Sequence, residues 1–140
     1  MKVTKAYILF VFLVILSSCQ EAEEEKIVPL SVNKVLGSWQ LKSTYISPGG
    51  ATTWQEVTDG DILSFAIDRT FTQTNTFEDN FDKSGTFELN DGILTWTYQE
   101  NSDEKTQSFS VEMAKNTMTL SPAGPIFCVE ACLSRYERID

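Results

Sequence analysis

From Leu36 onward, apolar side chains recur at every second position far more often than at every third or fourth. Leu63, Phe65 and Ile67 alternate with Ser64 and Ala66, and Gly85, Phe87 and Leu89 with Thr86 and Glu88. Leu94, Trp96 and Tyr98 alternate with Thr95 and Thr97, and Phe109, Val111 and Met113 with Ser110 and Glu112. Met118 and Leu120 are flanked by threonines. Period two is the mark of strands buried on one face. With residues 39–45, 69–77 and 133–139, these segments make eight candidate strands. Asn90-Asp91-Gly92 is a strong tight-hairpin signal, because all three residue types tolerate positive φ. Asp68-Arg69, Asp82-Lys83-Ser84-Gly85 and Lys115-Asn116 are weaker turn cues. One helical turn is expected at residues 31–36, with Ser31 as N-cap and Gly37 as the stop. Eight short strands joined by sequential hairpins can close into an antiparallel up-and-down barrel, which leaves no sheet edge. Tight hairpins in sequence order favour that all-β meander over the Greek-key crossings of an immunoglobulin-like sandwich.

The first twenty residues follow another pattern. Lys2 and Lys5 precede an unbroken apolar run over residues 6–16, followed by Ser17-Ser18-Cys19. This order of charge, apolar run and small residues is that of a secretory signal peptide. As a helix rising ~1.5 Å per residue, the run covers about half of a ~30 Å hydrocarbon core, too little to anchor by itself. Leu16-Ser17-Ser18-Cys19 resembles the lipobox of bacterial lipoproteins. That resemblance implies that Cys19 becomes the first mature residue and carries a diacylglyceryl group on sulfur. Two or three buried chains, at ~0.8 kcal/mol per CH2, anchor stably. The expected organisation is a signal peptide at 1–18, lipidated Cys19 with an acidic tether to residue 34, and one barrel domain at 35–140.

Loss of residues 1–18 takes away two lysines and no acid, moving the net charge from −9 to −11. Residues 20–26 are polar and acidic, as suits a solvated tether. Acidic residues just after the lipidated Cys resemble the export signal of some surface lipoproteins, and Gln20 does not resemble an inner-membrane retention signal. The outer membrane is therefore the expected location, facing either the periplasm or the outside.

An acidic chain lacks the clustered cations that phosphate binding needs, which argues against a nucleic-acid partner. The absence of His removes the usual general base and the commonest metal ligand, so no catalysis, cofactor or metal is expected. Asn80, Asp82 and Ser84 superficially follow calcium-loop spacing, yet Phe87 and Leu89 fit a strand at the same place. Glu100, Asp103 and Glu104 read as a solvent-facing linker between strands. Cys128 and Cys132 read as a disulfide in an oxidising compartment. On a straight strand their Cα atoms would lie ~13 Å apart, beyond the ~7 Å limit, so residues 128–132 must curl.

Leu36-Gly37-Ser38-Trp39, a short turn leading into Gly-x-Trp ahead of eight strands, resembles the start of lipocalin and other calycin barrels. The match runs from about residue 35 to residue 139, as in small lipocalin-like lipoproteins of Gram-negative bacteria. It implies that Gly37 and Trp39 close one end of the barrel, with Arg138 across the indole and Arg135 in reserve. A C-terminal helix and a Thr-Asp-Tyr motif, found in larger lipocalins, do not occur. The resemblance implies a monomer that binds a small apolar or amphipathic molecule. Candidate ligand contacts are Trp54, on the long connection expected to lie over the open end, where it either serves a lid or packs onto the barrel rim, and the alternating aromatics Phe65, Phe87, Trp96, Tyr98 and Phe109. A barrel this small can also be filled by its own side chains; the alternative is then a surface protein-interaction or inhibitor module.

Overall fold

The computed structural model describes residues 30–74 and 82–140. The signal peptide, Cys19, most of the tether and Asn80 lie outside the described residues. Among the described residues, one 3-10 turn, Val32–Lys34, leads into nine strands: β1 (Gly37–Ile46), β2 (Gln55–Glu56), β3 (Ile62–Phe65), β4 (Thr70–Thr74), β5 (Lys83–Asn90), β6 (Ile93–Glu100), β7 (Asp103–Ala114), β8 (Thr117–Gly124) and β9 (Cys132–Arg138). Ser31 stands at the N-cap without a side-chain cap bond.

Every neighbouring pair is antiparallel. The order runs from β3 through β9 in sequence, and β1 pairs with both β3 and β9, closing an eight-stranded up-and-down barrel. The two-residue β2 is an addition. It pairs with Ser43 and Thr44 on the edge of β1 that β3 occupies lower down.

The two ends of the barrel differ in their connections. At one end the chain reverses tightly. The Asn90↔Ile93 pair is closed by Asp91 and Gly92 at φ 48° and 78°, and the Ala114↔Thr117 pair by a turn with Lys115 at φ 51°. The longer connections 47–61 and 125–131 lie at the opposite end, the mouth, with the short turn at Asn101 and Ser102; β4 ends and β5 begins at that end.

Four expectations shift. Ile67 is exposed in the turn after β3 instead of extending that strand. Residues 100–104 form a hairpin closed by Glu100↔Asp103 instead of a linker, because Asn101 and Ser102 both adopt positive φ. Asp82-Lys83-Ser84-Gly85 is largely strand, with Lys83 the first residue of β5. Connection 47–61, expected over the open end, folds back along β1 through β2.

The core occupies the tightly turned half. Trp39, Leu63, Phe71, Phe87, Leu94 and Met118 are almost wholly buried there. Phe65 and Phe87 meet edge to face at 5.0 Å between ring centres, a favoured arrangement for aromatic pairs. Gly85 shares the inner face of β5 with Phe87; a Cβ there would collide with the Thr97 carbonyl, so its bareness lets β5 and β6 approach at a bend.

Candidate functional site

The tightly turned end is sealed by two residues from the extremes of the barrel. Trp39, the third residue of β1, is fully buried, and its Nε1 donates to the Val35 carbonyl at 2.8 Å. Arg138 ends β9 with its guanidinium 4.3 Å from the Trp39 ring centroid. It also donates to the Leu36 carbonyl at 2.9 Å and the Lys34 carbonyl at 3.0 Å. A guanidinium over an indole is worth about 0.5–2 kcal/mol; two charge-assisted hydrogen bonds, which are stronger than neutral ones, add to it. Gly37 is required on two counts. Its φ is +113°, and a Cβ would collide with the Arg138 guanidinium and the Asp140 carboxylate. Arg135 faces the other way, outward.

The mouth half is hollow. A cavity of about 320 Å³ lies between the strands, within the ~300–1,000 Å³ of small-molecule sites. Its apolar wall runs over β6, β7, β8 and the loop beyond, with Trp96, Phe109, Leu120, Pro122 and Ile126. Polar groups from β9, β4 and β5 face it, namely Ser134, Tyr136, Gln73 and Lys83. Trp96 sits at the boundary of the two halves, stacked on Phe71 at 4.9 Å and tilted on Phe109 at 4.5 Å. Among the described residues, its Nε1 is the buried side-chain donor without a hydrogen-bond partner.

The polar wall is tied together behind the cavity. Gln73 Nε2 donates to Asp61 Oδ2 at 2.7 Å, and the Tyr136 hydroxyl donates to the same oxygen at 3.3 Å. Desolvation raises the Asp61 pKa above its ordinary 3.8, against the lowering effect of these two donors. The Tyr136 phenol is held well above its ordinary 10.0 by burial and then by the neighbouring Asp61 charge, so it stays a donor.

The β8–β9 loop forms one side of the mouth. The Gln107 side chain clamps the backbone of Ile126, donating to its carbonyl at 3.2 Å and accepting from its N–H at 3.3 Å. Cys128 and Cys132 form a disulfide with Cα atoms 5.9 Å apart; the intervening residues curl, and Cys132 lines the cavity.

Of the aromatic residues singled out in the sequence, Trp96, Tyr98 and Phe109 line the cavity. Phe65 and Phe87 belong instead to the packed half, where they fill the core against each other. Trp54 lies outside the barrel, with the Arg135 guanidinium 3.7 Å from its ring centroid and Tyr45 at 5.6 Å. A register shift between Leu41 and Ser43 explains this. It turns Ser43 and Tyr45 to the outside with Arg135, and the returning connection lays Trp54 over them. Gln73, Lys83, Gln107 and Tyr136 were not legible as cavity groups, nor Asp61 as the acid that binds Gln73 and Tyr136. The one usable signal was parity, since Lys83 stands two residues before Gly85 and four before Phe87 on one face. Among the described residues, no three Cys, Asp or Glu side chains gather as a metal site.

Residues 35–120 match the family model of the lipocalin-like domain. A lipocalin-like protein from Bacteroides uniformis ATCC 8492 superimposes with a TM-score of 0.54 at 15% identity, over 76% of this chain and 99% of that one. An uncharacterized protein from Bacteroides eggerthii DSM 20697 does so with a TM-score of 0.52 at 17% identity, over 75% and 99%. No curated protein matches the chain. At these identities the two structures speak for the fold alone.

Proposed function

The chain belongs to the lipocalin-like domain family, and on that premise we propose that it is a lipid-anchored outer-membrane protein whose barrel holds a small apolar or amphipathic molecule without transforming it. The observation that carries the reading is the cavity of about 320 Å³, with an aromatic and aliphatic wall opposite a polar one. Such a two-sided pocket accepts an apolar body while orienting a polar group. A chain without His has no imidazole for acid–base or nucleophilic chemistry, which supports binding over turnover.

Cys19 in its lipobox-like setting supports the anchor. The described chain begins with Leu30, which packs on the core and borders a recess with Met113, Lys115 and Arg138 at the sealed end. A tether joined there leaves the mouth directed away from its own point of attachment.

Native mass spectrometry of the mature chain from residue 19, bearing Cys19→Ser and purified from bacterial lysate, tests the cavity. Bound small-molecule mass is expected, and a bare protein that takes up no added amphiphile refutes the reading. In cells, Cys19→Ser should release the protein from membranes; retention there refutes lipidation as the anchor. A second reading, a protein-interaction module, draws on exposed Ile126, Phe127 and Val129 in the β8–β9 loop, an apolar cluster of the kind that marks contact surfaces.

A further inference from the structure

Lys83 is a cation on the inner face of the barrel; the other described residues that line the cavity are apolar or uncharged polar. It begins β5, shares parity with Gly85 and Phe87, and lines the cavity beside its cross-strand partner Gln73. Its Nζ lies 5.0 Å from the centroid of the Tyr98 ring, also a wall residue. We infer that the cavity selects amphiphiles bearing an anionic head, with Lys83 as the group that holds that head. This rests on the cavity reading proposed above and specifies the chemistry of its occupant.

The donor inventory of the wall points the same way. An ammonium has three donors and no acceptor, and a ring face is a weak acceptor compared with a carboxylate, sulfate or phosphate oxygen. Trp96, at the inner boundary of the same cavity, has a buried Nε1–H with no partner. The neighbouring acid is already engaged, since Asp61 accepts from both Gln73 and Tyr136. Asp82 and Glu100 border a separate recess at the rim that Lys83 also touches. Lys105, opposite Tyr98, is ion-paired with Asp103 at 3.7 Å in the open. An anion entering the mouth therefore meets Lys83 at the edge of an apolar, low-dielectric space, where one charge pair is stronger than in water. The protein as a whole carries a charge of −9 and repels anions, so the selection is local.

Decanoate and 1-decanol share a ten-carbon chain and differ in the charge of the head, which makes them a matched pair for titration calorimetry on the mature Cys19→Ser chain. Decanoate is expected to bind at least about tenfold more tightly than decanol, a difference of ~1.4 kcal/mol. Lys83→Met should bring decanoate to the level of decanol and leave decanol within about twofold, which also certifies the folded cavity. Lys83→Arg should keep the preference, and so should Lys105→Met. Equal binding of the two probes by the wild type, or a preference that survives Lys83→Met or falls with Lys105→Met, overturns the assignment to Lys83 while leaving the cavity intact. Binding of neither probe overturns the cavity reading, and this inference with it.

Discussion

The two halves of this barrel are cut from the same strands and do opposite things with them. At the sealed end the chain turns in two to four residues, and the inner positions carry Trp39, Phe71, Phe87, Leu94 and Met118 packed without solvent. At the mouth the connections are longer, and the same inner-face parity places Lys83, Gln73, Gln107 and Ser134 around open space. An eight-stranded barrel is just wide enough either to be filled or to hold one small ligand. Here one barrel does each in turn along its axis. The densely packed, dry end supplies the stability that lets the other end remain hollow and polar.

Removing bulk should affect the two halves unequally. Trp39→Ala deletes a fully buried side chain together with its bond to Val35, and should cost about 3–5 kcal/mol in denaturant unfolding. Phe109→Ala, at a partly buried wall beside existing space, should cost less than about half of that. Equal losses would mean that the mouth half is as tightly packed as the sealed one. A smaller effect is expected from the disulfide. Replacing Cys128 and Cys132 with Ser frees a loop of five residues, for which chain entropy sets a loss of about 2 kcal/mol. Because Ile126 and Cys132 line the cavity, the same variant should also bind amphiphiles less tightly. Stability and binding both unchanged would show that the Gln107 clamp alone holds the mouth.

The smallest effect distinguishes the halves by the sign of their pH dependence. In the mouth half, Asp61 has its pKa raised by burial above 3.8. Its contribution is therefore most favourable to the folded state below that value, and falls as pH rises from there through the raised folded value. At the sealed end, Asp68 has its pKa lowered by hydrogen bonds from the hydroxyl and backbone N–H of Thr70. Its contribution is present above 3.8 and is lost as pH falls through the lowered value. Asp61→Asn should therefore flatten the stability profile above pH ~4 and Asp68→Asn below it, as measured by thermal unfolding across pH. The same slope change from both variants would refute the opposed environments.

Much of the barrel was legible because alternation and turn chemistry are local. Leu94, Trp96 and Tyr98 with their intervening threonines specify an inner and an outer face, and Asp91-Gly92 fixes a hairpin by φ alone. The site was legible only in part. Trp96, Tyr98 and Phe109 could be placed inside by parity, yet nothing local separates them from Phe65 and Phe87, which share that parity and fill the core. Depth along the barrel axis depends on the stagger of strands far apart in sequence. Between a lid and packing at the rim the sequence left Trp54 open for a related reason, since a shift of register in β1 reverses which side chains face in and turns its partners Tyr45 and Arg135 outward.

The amino-acid order by itself settled the strand-and-turn grammar and the antiparallel meander it permits, because period two and positive-φ turns act over a few neighbouring positions; the residues at the sealed end were expected from the resemblance of the Gly-x-Trp start to lipocalin barrels. Only the closed three-dimensional arrangement decided where the barrel is full and where it is empty, that Trp54 lies outside, and that Lys83 faces a cavity instead of solvent. Those outcomes arise from the pairing of β1 with β9 and from strand stagger, in which residues about a hundred positions apart fix each other's orientation.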